Sequence, residues 1–596
     1  MKTIKRTEKI RHAWKIFSYR ACLCLLLFTF SSLTTQAQTI SQISKSDPLI
    51  ITGTIGTQNT YYHSSMGNGY ASPLSNSVFA NLNISLYGIS MPFSFYYSNN
   101  NLDFNYPHFS FNLSPVYKNW TGHLGRSTMA FSNYVMNMSF NGVGVEYNSN
   151  KLRFGAFYGQ LRNAINDDPD DPKARRPQYK RMAWGFKVGY GNAKNALDLY
   201  LLRAYDRPNS LDERWHDVTS PQENLVVGLR GLLTPMRWLS LTGNLAVSAF
   251  SLDMQAEKIR SEETGRFDKI FDARYSSLAR LAGDFNMNLT LKNFRTSVFY
   301  RMIQPDYTSL GTYYMSNNYQ SLGVNMNTML FKKVALSATF SGQEDNLSKK
   351  QLYTTRGFVY SANASTSLGK RLTLSAGFNG YLQTQGDGTM HVNDTTRIHR
   401  IMSSFYFTPT YSLPGSTLDH MFSVSFNLSQ NKDLNRFANG QSDVTTVAAG
   451  LTHSMSVKPW EMNFTTALNH QQSQGYNTRY SSDILSVTAD RAFLKEKNLT
   501  VSATASLCYN NIKDQQRSLS MGADMSMGYT LKQVHAFSLN AGVNKYSDAN
   551  LAYQDESYNT TEFSMSLNYT YTFTLLEIKR HAEKDGKSKN SKKVKK

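Results

Sequence analysis

The residues able to do chemistry are thinly spread along this chain. Between positions 100 and 138, His108, Trp120, His123 and Arg126 accompany Pro107, Pro115, Gly122 and Gly125, and Arg153 follows. Imidazole, indole and guanidinium groups gathered on a polar face could line a constriction, and the two arginines could favour anions by local field. A lone positive group in a wide aqueous space is screened over about 8 Å at physiological salt, which limits that effect. Asp167, Asp168, Asp170 and Asp171 offer hard oxygens of the kind that hold Ca²⁺. Lys173, Arg175 and Arg176 share the same stretch, so a solvated loop with self-compensating charge is the alternative, and no metal site is assigned. The segment from Asp253 to Arg266 has the same two-signed character. No GxSxG elbow, HExxH, Walker loop or CxxC occurs, so no catalytic or cofactor-binding residue is assigned and no cofactor is expected. A Ser/His or Asp/His site assembled across strands would leave no trace in spacing.

Charge is concentrated at the two ends. The net charge is +21 over 596 residues. Residues 1–37 hold +6 and residues 579–596 hold +7, which leaves +8 for the whole body. That distribution excludes a nucleic-acid-binding body. The C-terminal run includes Lys579, Arg580, Lys592, Lys593, Lys595 and Lys596. It reads as a disordered basic tail that could contact anionic phospholipid or an acidic periplasmic protein.

The first 37 residues have the layout of an export signal. Lys2, Lys5, Arg6, Lys9, Arg11, Lys15 and Arg20 precede the apolar run Ala21 to Phe30, and Thr35-Gln36-Ala37 supplies small residues for cleavage before Gln38. Of three cysteines, Cys22 and Cys24 fall in this segment, so Cys508 alone remains and no disulfide framework is available. Mean hydropathy is −0.44, which excludes a helical membrane protein.

The body alternates with period two. Phe563, Met565, Leu567, Tyr569, Tyr571 and Phe573 alternate with Ser564, Ser566, Asn568, Thr570 and Thr572. Phe422, Val424, Phe426 and Leu428 do the same against Ser423, Ser425 and Asn427. Each segment therefore carries one apolar face and one face of Ser, Thr, Asn and Gly. The segments are long, about 10–18 residues against a globular norm near 5–6. Lipid on one side and water on the other require this pattern.

Turn signals organise the strands into hairpins. Short connections fall near Asn148-Ser149-Asn150, Gly191-Asn192-Ala193, Thr234-Pro235-Met236, Lys292-Asn293, Lys332-Lys333 and Gly369-Lys370-Arg371. They continue near Pro414-Gly415-Ser416, Lys458-Pro459-Trp460, Lys495-Glu496-Lys497 and Lys532-Gln533. Longer polar stretches lie between them, at 162–179, 206–221, 252–275, 306–317, 386–394 and 431–439. Short turns alternating with long loops, two strands per period, predict an all-β chain. It is a single transmembrane antiparallel up-and-down β-barrel of about 24 strands, with 22–26 as the range.

The stretch from Asn81 to Leu161 reads NLNISLYGISMPFSFYYSNN, then HFSFNLSPVYKNWTGHLGRSTMAFSNY, then FNGVGVEYNSNKLRFGAFYGQL. It resembles large outer-membrane β-barrel proteins of Bacteroidota-type bacteria over about 80 residues. The resemblance implies the compartment and the fold, and membership of a multi-protein outer-membrane assembly. It carries no catalytic residue onto this chain. The strand ending at Phe573 resembles the aromatic signal read by barrel-insertion machinery, although 23 residues follow it.

The resulting organisation is a signal peptide at 1–37, a short periplasmic segment at 38–48, a barrel at 49–578 and a basic tail at 579–596. Residues 100–138 break the alternation. They could fold into the lumen as a constriction or partial plug, stay outside as an ordinary long loop, or form an extra hairpin that raises the count to 26. The functional expectation is a non-enzymatic structural or accessory subunit of an outer-membrane export or assembly complex, with a passive or substrate-selective channel as the alternative. Expected partners are outer-membrane lipid, the insertion machinery during biogenesis, and outer-membrane or periplasmic proteins, with no nucleic acid.

Overall fold

A computed structural model describes residues 49–67, 73–99, 109–168, 170, 175–259, 271–494, 496–550 and 557–578. The signal segment, His108 and the basic tail, with Lys579, Arg580, Lys592, Lys593, Lys595 and Lys596, lie outside the described residues.

Antiparallel hairpins follow one another from Leu49–Ser64 to Ser557–Ile578. These two terminal strands pair with each other from Leu49↔Ile578 to Ser64↔Glu562, which closes the sheet. The wall has 26 positions, because Phe109–Leu113 and Val116–Tyr117 are two pieces of one strand. Both pair with Ile89–Ser98 on one side and with Trp120–Ser127 on the other. Pro115 has no N–H to give the ladder, which accounts for the break. The hairpin 109–127 is the reason the count is 26 and not 24. An even number is needed for an all-antiparallel ring to close, and closure removes every free edge.

At one end of the wall the connections are short. Lys332 and Gln533, which lie in two of them, have positive φ of 58° and 60°, as tight turns demand. The chain enters the barrel at Leu49 and leaves it at Ile578 at this same end. The opposite end carries the long loops.

Register assigns every strand residue to one of two faces. On the outer face of Gln516–Leu531, Leu519, Met521, Ala523, Met525, Met527 and Tyr529 follow one another at alternate positions. Ten residue steps at about 3.3 Å, on strands tilted by about 40°, give a band about 25 Å tall, the height of a bilayer's apolar core. Large apolar side chains on this face are exposed, Met521 by 51% and Leu567 by 44%. No helix among the described residues is long and apolar enough to cross a membrane. Aromatic rings rim the band at the short-turn end. Phe537 meets Tyr569 at 4.8 Å between centroids, and His535 stacks on Tyr571 at 4.6 Å. Such a girdle belongs at a membrane–water interface. For a circular cross-section, 26 tilted strands spaced about 4.8 Å apart enclose a cylinder about 50 Å across, measured between backbones.

Candidate functional site: the barrel interior

The inner face differs between two sectors of the wall. From Val334–Asp345 onward through Ser557–Ile578 it is mostly Ser, Thr, Asn, Gln and Gly. From Phe140–Asn148 to Glu223–Met236 it is built from glycine and apolar groups instead. Gly142, Gly144, Gly155, Gly159, Gly185 and Gly228 all face inward there, next to Phe140, Phe157, Leu202 and Val226. Those four large side chains are buried. Something therefore covers this sector.

Two long-loop segments supply the cover. Residues 128–139 leave the wall after Ser127 and rejoin it at Phe140, and residues 304–318 connect Phe294–Ile303 to Tyr319–Leu330. Val135 is fully buried and Met136 nearly so. A Cβ on Gly228 would sit 2.5 Å from a Val135 methyl, so the wall glycine leaves the room Val135 occupies. Phe131 packs edge-on to Phe157 at 5.7 Å, and Met129 lies against Gly144 and Gly155.

Hydrogen bonds join the two segments to each other and to the wall. Tyr307 donates its hydroxyl to the Tyr134 carbonyl at 2.8 Å, and Ser309 donates to the Val135 carbonyl at 2.6 Å. The backbone N–H groups of Asn137 and Met138 both donate to the Gly311 carbonyl. On the wall, fully buried Asn224 accepts from the Leu310 N–H at 3.1 Å, and Ser248 donates to the Thr308 carbonyl at 2.6 Å. These bonds satisfy the carbonyls and N–H groups that the two segments bury, although the Ser132 hydroxyl and His123 Nδ1 are buried without a hydrogen-bond partner among the described residues.

Several charges on this sector are paired. Glu146 contacts both His123, at 2.9 Å, and Lys187, and Lys187 also donates to the Ala130 carbonyl at 3.1 Å. Arg153 donates to Asp198 and to the Gly191 carbonyl. Arg181 grips Asp206 through two hydrogen bonds, with Asp206 only 1% exposed.

Among the sequence-selected residues, His123 and Arg153 face inward, in separate ion-pair clusters. Trp120 and Arg126 are corrections. Register puts both on the outward face with Leu124, and Trp120 packs on Tyr147 at 4.8 Å in the aromatic rim. Because 120–127 is one strand of the extra hairpin and not a segment folded into the lumen, its alternate side chains must point outward. Sequence reasoning missed Val135, Tyr307, Ser309 and Asn224. The readable signal was the run of inward glycines in Phe140–Asn148 through Arg181–Gly191, where the rest of the wall has Ser, Thr and Asn.

Outside the wall, the acidic loop is held by ion pairs. Asp167 takes Arg175 in a two-pronged contact at 2.7 and 2.8 Å. Those hydrogen bonds hold the Asp167 carboxyl down at about 2. Among the described residues no group of three His, Cys, Asp or Glu side chains could hold a metal ion.

No family model matches the chain, and no curated protein matches it. Solved structures similar to it include outer-membrane proteins, at low identity. The ferric enterobactin receptor of Pseudomonas aeruginosa is 11% identical, with 89% of this chain and 81% of that chain covered and a TM-score of 0.38. The translocation pore of the P pilus usher PapC is 10% identical, with 88% and 100% covered and a TM-score of 0.36. OccAB3 of Acinetobacter baumannii is 11% identical, with 66% and 99% covered and a TM-score of 0.30. Likenesses this distant carry no argument about function. The class assigned here, a closed 26-strand transmembrane barrel, rests on strand pairing and on the outward apolar band.

Proposed function

We propose that this protein is an integral outer-membrane β-barrel that serves as a structural or accessory subunit of an export or assembly complex, as its resemblance to Bacteroidota-type outer-membrane barrels also implies. The observation that carries this reading is the filled sector. The chain commits two loop segments, with several buried hydrogen bonds, to closing part of a lumen far wider than a small solute needs. A fixed internal shelf of this kind suits a scaffold that holds a partner or a cargo better than an unobstructed pore. The second reading, a passive or substrate-selective channel, is favoured by the uncovered sector's lining of mainly hydroxyl and amide groups with Asp524 among them, which presents a hydrated wall.

Affinity purification of the full chain from gently solubilised outer membranes tests the choice. Stoichiometric partners that survive a high-salt wash support the subunit. Recovery of a lone barrel that conducts ions rejects it in favour of the channel.

A further inference from the structure

The inner wall near the short-turn end holds a recess of about 640 Å³, and we infer that it is a binding row for an acidic oligosaccharide. Its inward lining follows one line of register across six strands: Arg295↔Asn327, Asn327↔Ser337, Ser337↔Asn363, Asn363↔Gly377 and Gly377↔Tyr406. Five strand spacings of about 4.8 Å make the row about 24 Å long. Arg295 is next to a short turn, and Tyr406 is seven residues from the end of its strand. The row therefore climbs from the mouth into the lumen.

The chemistry changes along the row. Arg295 is exposed and has no carboxylate partner among the described residues, and Lys292 in the adjoining turn also borders the recess. The side chains of Arg295, Asn327 and Ser337 make no hydrogen bond within the described residues. The next row up is different: Asn325 donates to Ser297 and accepts from Thr339. There the polar groups satisfy one another, whereas in the recess they are open to a ligand. At the far end the Tyr406 ring lies across Gly377, where a Cβ would collide with it. The Tyr406 hydroxyl donates to the Asn363 oxygen at 3.0 Å, which fixes the ring and leaves the Asn363 amide nitrogen available.

A guanidinium, a set of amides and a hydroxyl at regular spacing, and an anchored aromatic face together match a sugar chain. Its carboxylate meets Arg295 in a charge-assisted pair. Its hydroxyls meet Asn327, Ser337 and Asn363, and the C–H face of a pyranose meets Tyr406. An extended peptide finds no matching ladder, because a closed barrel has no free strand edge. The site is independent of whether the barrel conducts alone or works within a complex.

Calorimetric titration of the purified full chain in detergent, with tri-galacturonate, maltotriose and tri-glutamate as probes, tests this. The wild type binds tri-galacturonate at least about tenfold more tightly than maltotriose, and Arg295→Gln removes that preference. Tyr406→Leu weakens both sugars, while Tyr406→Phe keeps the ring and retains binding. Heat-modifiable gel mobility confirms that each variant is a folded barrel. Absence of saccharide binding, a preference that survives in Arg295→Gln, or tri-glutamate binding as tight as tri-galacturonate would each overturn the proposal.

Discussion

The Tyr307 hydroxyl donates to the carbonyl oxygen of Tyr134 at 2.8 Å, across 173 residues of sequence. This bond joins two loops inside the barrel, and both residues are buried, Tyr307 to 1% exposure. Ser309 makes the parallel bond to Val135. Removing both donors leaves two buried carbonyls unpaired, at a cost of about 1–3 kcal/mol each. Tyr307→Phe with Ser309→Ala therefore loosens residues 128–139. In a Cys508→Ser background, a cysteine placed at buried Ser132 resists maleimide in the parent and reacts in the double variant. Equal reactivity in both proteins would show that the bonds do not hold the segment.

Gly228 tests the packing side of the same contact. A side chain there must displace the Val135 methyl, 2.5 Å from the position of its Cβ. Gly228→Val costs about 1–3 kcal/mol by overpacking and lowers the unfolding temperature of the barrel. Gly231 has nothing within 4 Å of such a Cβ. Gly231→Ala leaves the melting curve within about 0.5 kcal/mol of wild type.

The Glu146 carboxylate is a partner of both His123 and Lys187, and the Lys187 side chain is only 10% exposed. Glu146→Gln strands a nearly buried ammonium, and the loss is about 3–5 kcal/mol. Replacing Lys187 by Met in the same chain removes the orphaned charge and recovers most of that loss. Urea unfolding in detergent measures both, and additive losses in the double variant would contradict the pairing.

Asp167 carries a pH signature. Arg175 holds its carboxyl at about 2, below the ordinary 3.8. A carboxyl with a depressed folded-state value stabilises the loop above the unfolded value, and that contribution is lost as pH falls from about 3.8 through about 2. Titration followed by carboxyl NMR gives a midpoint near 2 in the wild type. Arg175→Ala returns it towards 3.8, and an unchanged midpoint would assign the shift to another cause.

The wall was legible because its physics is local. Alternation in Phe563–Phe573 names the outward and inward faces at once, and turns such as Lys332-Lys333 and Pro414-Gly415-Ser416 fall between strands as expected. The hairpin 109–127 was less legible. Pro115 splits one strand and Gly125 has a positive φ of 86°, so neither piece shows a long alternation. The filled sector could not be read from spacing, since Tyr307 and Tyr134 meet only after the barrel has closed. Residues 306–317 look like any polar loop, and their inward turn depends on wall positions such as Asn224 and Ser248 far away in sequence. The lumen row from Arg295 to Tyr406 has the same character, because register alone brings its six residues together.

The two loop segments occupy part of a lumen that would otherwise be open, and single-channel recording in planar bilayers measures how much of it they close. Wild-type protein gives a conductance well below that of a water-filled cylinder about 50 Å across. Replacing residues 129–138 with a short Gly-Ser linker raises it at least about twofold, because the segment's volume and its hold on 304–318 are lost together. Full-cylinder conductance from the wild type, or no change on replacement, would contradict the claim.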